Sequence, residues 1–345
     1  MKGKMKTKQQ GIQSVQPSGQ FYGEDITAAI GNTPLIRLRR MTTVRNIKAT
    51  VLVKPEFLNP TGSIKDRMVV YLLDQAVERG ELPPGGTIVE ATSGNTGAAV
   101  AMYAAASGYN TILTIPDKMS DEKVDTLRAF GAEVHICPTA VPGESPESYY
   151  ETAKRIHRET PGSYMVGQYF NLDNIEAHYR LTGPEIWRQT GGRIDVLVGG
   201  VGTGGTVSGT ARYLKEQNRE IEVVGADPIG SVYYQYHQDQ TMIQPHPYQV
   251  EGIGEDILCP TIDFSVIDKI YQHTDQEAFV AARELTRTEG IFGGGSSGAA
   301  VHVALKHAAL LEEGKIVVVI LPDSGFKYIS KVFNDAWMRE HGHID

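Results

Sequence analysis

Asn59-Pro60-Thr61-Gly62-Ser63-Ile64-Lys65-Asp66-Arg67 is the stretch that decides how this chain is read. It follows an apolar run, Thr50 to Phe57. It precedes a helical pattern that puts Met68, Leu72 and Ala76 on one face and ends at Gly80. Pro60 and Gly62 predict a turn, and Ser63 is the expected cap of the new helix. Lys65 then falls in the first helical turn, where the positive end of the helix dipole disfavours a cation. A lysine kept for solubility gains nothing there, whereas one that must lose its proton and attack a carbonyl does. A lone lysine is most often a surface residue, so the weight rests on the glycine-rich stretches farther along.

Working outward, strands and helices alternate. Strands are expected at Leu35 to Leu38, Thr50 to Phe57, Thr87 to Ala91, Asn110 to Ile115, Glu133 to Cys137 and Tyr164 to Val166. Farther on they are expected at Asp195 to Gly199, Glu222 to Asp227, Lys269 to His273 and Ile316 to Leu321. The helices between them include Asn95 to Ser107, ended by Gly108, and Ser145 to Thr160, with Pro146 at its first position. Pro184 interrupts the pattern from Glu176 to Gln189, and Thr182-x-x-Glu185 reads as a capping box that restarts it. Thr274-x-x-Glu277 caps another helix, and Ile329 to Arg339 is the last one. Tyr233 to Pro260 has no clear period, and a loop that long is usually functional. The alternation predicts an α/β protein with parallel sheets covered by helices on both faces.

The totals narrow the function. A length of 345 residues suggests two domains. A formal charge of −8 argues against nucleic acid or an anionic membrane as the main partner. No apolar run approaches a membrane span. Two cysteines, Cys137 and Cys259, make no disulfide framework and fit a reducing cytoplasm. The histidines are scattered and predict no metal site. Residues 1 to 20 are polar and read as a flexible arm.

In an open α/β sheet, ligands sit beyond the carboxyl ends of the strands. Ala91-Thr92-Ser93-Gly94-Asn95-Thr96-Gly97 lies at such an end. Its hydroxyls, its amide and the N–H groups of a helix start suit a carboxylate, and they exceed what capping needs. Gly199-Gly200-Val201-Gly202-Thr203-Gly204-Gly205-Thr206 follows an apolar strand and opens a helix, which suits a phosphate. Gly200-x-Gly202-x-x-Gly205 with Asp227 downstream also satisfies the dinucleotide fingerprint, so a nicotinamide oxidoreductase stays open. Gly293-Gly294-Gly295-Ser296-Ser297-Gly298 would project Ser296 from a helix start. Glu251-Gly252-Ile253-Gly254-Glu255-Asp256 reads as a mobile lid.

Four motifs carry a resemblance. They are Asn59-Pro60-x-x-Ser63-x-Lys65-Asp66-Arg67, Thr92-Ser93-Gly94-Asn95-Thr96-Gly97, Gly202-Thr203-Gly204-Gly205-Thr206 and Gly295-Ser296-Ser297-Gly298. Over about residues 22 to 340 the chain resembles the fold type II pyridoxal-phosphate enzymes, in the branch of cysteine synthase and cystathionine β-synthase. The resemblance implies two parallel-sheet α/β domains of the tryptophan synthase β-like kind. Residues 59–169 would form a smaller, mobile domain, and residues 1–58 and 170–345 a larger one. The cofactor would be pyridoxal 5'-phosphate, and Lys65 would form the Schiff base with it. Asn95 would bond the ring hydroxyl, Gly202, Thr203, Gly204, Gly205 and Thr206 would hold the phosphate, and Ser296 would face the ring nitrogen. Thr92, Ser93, Thr96 and Gln168 would bind the substrate carboxylate. The reaction class would be β-replacement through an aminoacrylate, in a homodimer acting on small amino acids.

Several stretches resemble the cystathionine β-synthase side of that branch. They are Asp117 to Lys123, Gln168-Tyr169, Val250 to Gly254 and Asn334 to Met338. On that reading Tyr169 would help expel hydroxide from serine, a poor leaving group. Gly252 would be among the substrate-binding residues. Glu255 departs from the animal enzymes, which tend to have Tyr there, and could meet a homocysteine ammonium. The expected reaction joins serine or O-acetylserine to homocysteine, and cysteine synthesis from sulfide is the alternative. No haem is expected, because residues 1 to 24 hold neither Cys nor His, and no nucleotide-sensing module is expected. A catalytically silent binding protein stays open as a third class.

Overall fold

The structure is a computed structural model that describes residues 23–345 except Ser93. The arm expected at residues 1–20 lies outside the described residues. Among the described residues, ten strands fall into two sheets. β1 (Ile36–Arg37), β2 (Thr50–Pro55), β7 (Val196–Gly200), β8 (Glu222–Pro228), β9 (Lys269–His273) and β10 (Ile316–Leu321) form a six-stranded sheet of order β1-β2-β10-β7-β8-β9. β3 (Thr87–Ala91), β4 (Asn110–Pro116), β5 (Glu133–Cys137) and β6 (Ser163–Met165) form a four-stranded sheet of order β5-β4-β3-β6. Every pairing is parallel except that of β1 with β2.

The helices follow from the same alternation. α1 (Arg40–Val44) precedes β2, and α2 (Lys65–Glu78), α3 (Asn95–Ser107), α4 (Asp121–Ala129) and α5 (Tyr149–Glu159) surround the four-stranded sheet. α6 (Asp173–Ala177) runs through a π-helical turn at His178–Thr182 into α7 (Gly183–Thr190). α8 (Gly205–Gln217), α9 (Tyr233–Asp239), α10 (Asp275–Glu289), α11 (Gly295–Ala308) and α12 (Asp335–Glu340) belong with the six-stranded sheet. Alternate residues of β10 face opposite cores: Val317, Val319 and Leu321 meet α11, while Val318 and Ile320 meet α7 and α8. Met68, Leu72 and Ala76 of α2 are fully buried against α3 and the four-stranded sheet. α11 is built from small residues because α10 lies close; a Cβ on Gly298 would come within 2.1 Å of the Ala278 carbonyl oxygen.

Both sheets have a topological switch point, and both aim it at the same place. In the larger sheet it lies between β7 and β10, so the Gly199–Thr206 loop and Asp323 emerge side by side. In the smaller it lies between β3 and β6, so the Thr92 loop meets residues 166–169.

The structure corrects the sequence reading at defined points. Ile64, not Ser63, is the cap position of α2, and the Ser63 hydroxyl instead accepts the N–H of Lys65 itself at 3.3 Å. The helix expected from Ser145 begins at Tyr149, because the Ser148 hydroxyl accepts the Glu151 N–H and takes the cap. Thr182 forms no capping box: its hydroxyl meets His178 Nδ1 at 2.9 Å, and buried cations claim the Glu185 carboxylate. Tyr233 to Pro260 contains one short helix, α9. The last helix starts only at Asp335, where the Asn334 side chain accepts two N–H groups. The Thr274–Glu277 capping box is present.

Candidate active site

Lys65 is the first residue of α2, one step past the turn at Gly62, whose φ is +75°. Asp66 fixes that turn by accepting the Thr61 N–H at 2.7 Å. Two residues on, Arg67 is driven into a dry cluster. Its guanidinium donates to Glu56 at 2.6 Å and to Glu185 at 2.8 Å, and Lys54 donates to Glu185 at 2.7 Å. Burial opposes the ionised form of Glu185, but the bonds and charges of Arg67 and Lys54 outweigh it and hold the carboxyl down at about 2. The cluster locks the start of α2 and so the backbone that carries Lys65.

The Lys65 side chain enters a cleft of about 980 Å³ between the two switch points. Burial pushes its amine pKa down, opposed by the charges of Asp323 and Glu255. Thr92, Asn95, Thr96, Gln168, Tyr169, Thr203, Gly252 and Glu255 line the same cleft. A small extension of it is lined by Lys65, Gly202, Thr203, Gly204 and Thr206, at the start of the 13-residue α8. Gly205 faces away from it, and a Cβ there would meet the Asn174 side chain at 2.1 Å. Ser296, 3 % exposed, is the second residue of α11 and lines neither cavity. Ser93 lies outside the described residues.

The polar groups are tied to one another. Thr92 Oγ1 accepts the N–H groups of Gly94 and Gly97. Thr96 donates to Gln168 Oε1 at 2.7 Å. Both ends of the Asn95 amide are engaged: Nδ2 donates to Asp323 at 2.8 Å, and Oδ1 accepts from Lys327. Glu255 is pushed up to about 8 by burial and by Asp256, against the pull of Lys65. Tyr169 is raised well above the usual phenol range by burial and by the Glu255 charge. In the segment expected as a lid, Glu251–Asp256, Glu251 bridges Lys123 at 2.7 Å and Lys331 at 2.8 Å.

Asp227, the acidic residue of the dinucleotide pattern, is fully buried in β8 and accepts the Tyr234 N–H, so it does not reach toward a ribose. Sequence reasoning missed Asp323, Lys327, Glu90, Asn174 and the Glu251 bridge. Asp323 had a signal, because it stands two residues beyond the carboxyl end of β10. Glu90 had one too, a lone carboxylate in an apolar strand. Among the described residues no helix is long and apolar enough to cross a membrane.

Comparison with known proteins agrees with this geometry. A family model described as pyridoxal-phosphate dependent enzyme matches residues 26–323. The chain is 44% identical to the cystathionine beta-synthase of Oryctolagus cuniculus over 322 residues, covering 93% of this chain and 58% of that protein. It therefore spans about three-fifths of that relative's length. It is 38% identical to cysteine synthase 1 of Neurospora crassa, covering 93% of this chain and 86% of the relative. The solved cysteine synthase of Entamoeba histolytica superposes with a TM-score of 0.83 at 34% identity, covering 93% of each chain. The chain belongs to the pyridoxal-phosphate dependent enzymes.

Proposed function

We propose that this chain catalyses a β-replacement in which the hydroxyl of L-serine, or the acetoxy group of O-acetylserine, is exchanged for the thiol of L-homocysteine, giving cystathionine. The observation that carries the reading is the meeting of Lys65, the Thr92–Thr96 helix start, Gln168-Tyr169 and Glu255 on one cleft. The relatives named cystathionine beta-synthase support the same product.

The residues present fit the family's cofactor. A buried amine of lowered pKa stands beside a glycine-rich cradle at a helix start, where backbone N–H groups suit a phosphate. The bound cofactor supplies an electron sink for the Cα of the amino acid. Lys65 would carry it and then hold the Cα proton at Nζ. Gly202 to Thr206 would hold the phosphate, Asn95 the ring hydroxyl, and Ser296 keeps the ring-nitrogen role that the resemblance gives it. Thr92, Thr96 and Gln168 would hold the donor's carboxylate. The Tyr169 phenol, kept protonated by burial, would give its proton to the leaving oxygen of serine. Glu255 would receive the homocysteine ammonium, whose charge would draw out the carboxyl proton. We assign residues 59–169 to a smaller domain that moves against residues 23–58 and 170–345, in a cytoplasmic homodimer.

A second reading is cysteine synthesis from O-acetylserine and sulfide, favoured by the cysteine synthase of Neurospora crassa and by the solved structure. One experiment separates them: serine or O-acetylserine with homocysteine or sulfide, and the four rates compared. Cystathionine formation is expected to dominate. Rapid cysteine formation with no cystathionine would put the second reading in its place. Lys65→Ala should leave a folded protein without turnover in every arm.

A further inference from the structure

Glu90 is a carboxylate inside the four-stranded sheet, 1 % exposed, on β3 two residues before Thr92. Its oxygens accept the N–H of Gly167 at 2.8 Å and of Gln168 at 3.4 Å, across the β3/β6 switch point. Those bonds hold the turn at Gly167, whose φ is +64°. The turn in turn places Gln168, whose Oε1 accepts from Thr96 at 2.7 Å. Asn174 continues the chain of contacts, donating to the Gln168 carbonyl at 2.8 Å and to Thr203 Oγ1 at 3.1 Å. A single buried carboxylate thus anchors the segment that joins the Thr92–Thr96 helix start to the glycine cradle.

We propose that Glu90 is a positioning residue for the donor amino acid: its ionised carboxylate holds the Gly167–Gln168 turn and so aims the Gln168 side chain. The inference rests on the carboxylate-binding role proposed above for Gln168. A neutral acid accepts fewer hydrogen bonds than a carboxylate and adds a donor facing a donor. Burial pushes Glu90 up to about 7, opposed by the two N–H groups alone. No basic side chain among the described residues offsets its charge. Opposite it, β4 presents Leu113, α2 presents Met68 and Leu72, and α3 carries no charged residue. Gln168 and Asn174 are neutral, and Tyr149 of α5 is the titratable group that feels the Glu90 charge. Ionisation is therefore lost as pH falls through about 7, and the turn loosens on the acid side.

The test is the amide resonance of Gly167 in the holoenzyme between pH 5 and 9, beside steady-state kinetics of Glu90→Gln. In the unaltered protein the resonance should move with a midpoint near 7, and in E90Q it should not. E90Q should raise the donor KM roughly tenfold, leave the acceptor KM unchanged and remove the acid limb of kcat/KM for the donor. A Gly167 amide that does not titrate overturns the proposal without needing the variant, as does an E90Q enzyme with unchanged donor KM and acid limb. If the unaltered enzyme turns over none of the four substrate pairs, the proposed function fails, and the amide titration alone decides Glu90.

Discussion

Two of the ion networks that connect the four-stranded sheet and its helices to the rest of the molecule are built on opposite principles. The first surrounds Arg67. Lys54, Glu56, Arg67 and Glu185 are at most 2 % exposed, and every charge has an opposite partner. The second spans the mouth of the cleft, where the side chains of Lys123, Glu251 and Lys331 are 19%, 27% and 42% exposed. Removing one member of a dry network leaves a buried charge unpaired, whereas a wet pair is replaced by water at little cost. The same chemistry therefore makes a fixed joint beside Lys65 and an adjustable one across the cleft.

The largest effect should come from Glu185→Gln. It keeps the shape and leaves the Lys54 and Arg67 charges with Glu56 alone. A loss of about 3–5 kcal/mol is expected in urea unfolding. A loss below about 1 kcal/mol would mean that water reaches the cluster, and the contrast with the cleft mouth would fall.

Acid gives the next effect. The Glu185 carboxyl is held at about 2 against 4.5 for a free one, so its contribution is complete above 4.5 and fades as pH falls toward 2. The shift corresponds to about 3 kcal/mol from this group. The slope of stability against pH in that window should flatten in the Glu185→Gln protein. An unchanged slope would place the acid sensitivity elsewhere.

A smaller and purely kinetic effect is expected at Tyr169. Tyr169→Phe should slow the reaction of serine more than that of O-acetylserine, because acetate leaves without a proton. The comparison of donors sits inside one cleft, so loss of stability alone cannot produce it. Equal slowing would remove the phenol from the leaving-group step.

These effects divide along the line of what the sequence made legible. β3, β5, β9, β10 and α3 were readable to the residue because each is an apolar period closed by a turn residue. The cleft was readable because Thr92, Gly202 and Lys65 stand in local motifs at strand ends. The fixed joint was not, since it pairs Arg67 with Glu185 across a sequence separation of 118. Thr182 and Glu185 imitated a capping box locally, and the buried cations overrode that local preference. Glu90 stood out as a lone carboxylate in an apolar strand, but its partners were hidden, because they are backbone N–H groups of a turn that no side-chain pattern announces.

The smallest effect sharpens the comparison most. Lys123 lies on α4, beside the four-stranded sheet, while Glu251 and Lys331 both lie on the side of the six-stranded sheet. Lys123→Met and Lys331→Met each remove one ion pair from the same carboxylate. Each should cost at most about 1 kcal/mol in global stability, because the pairs are solvated. Only Lys123→Met cuts a tie across the cleft. Amide exchange within α4 should therefore accelerate in Lys123→Met and stay unchanged in Lys331→Met. Salt should reproduce the first result in the unaltered protein, as screening shortens from about 8 Å at physiological ionic strength to about 3 Å at 1 M. The Arg67 cluster, closed to ions, should show no such response. If both variants accelerate exchange equally, Glu251 acts by ordering its own loop. If neither does, packing of Val124 and Leu127 holds α4 unaided.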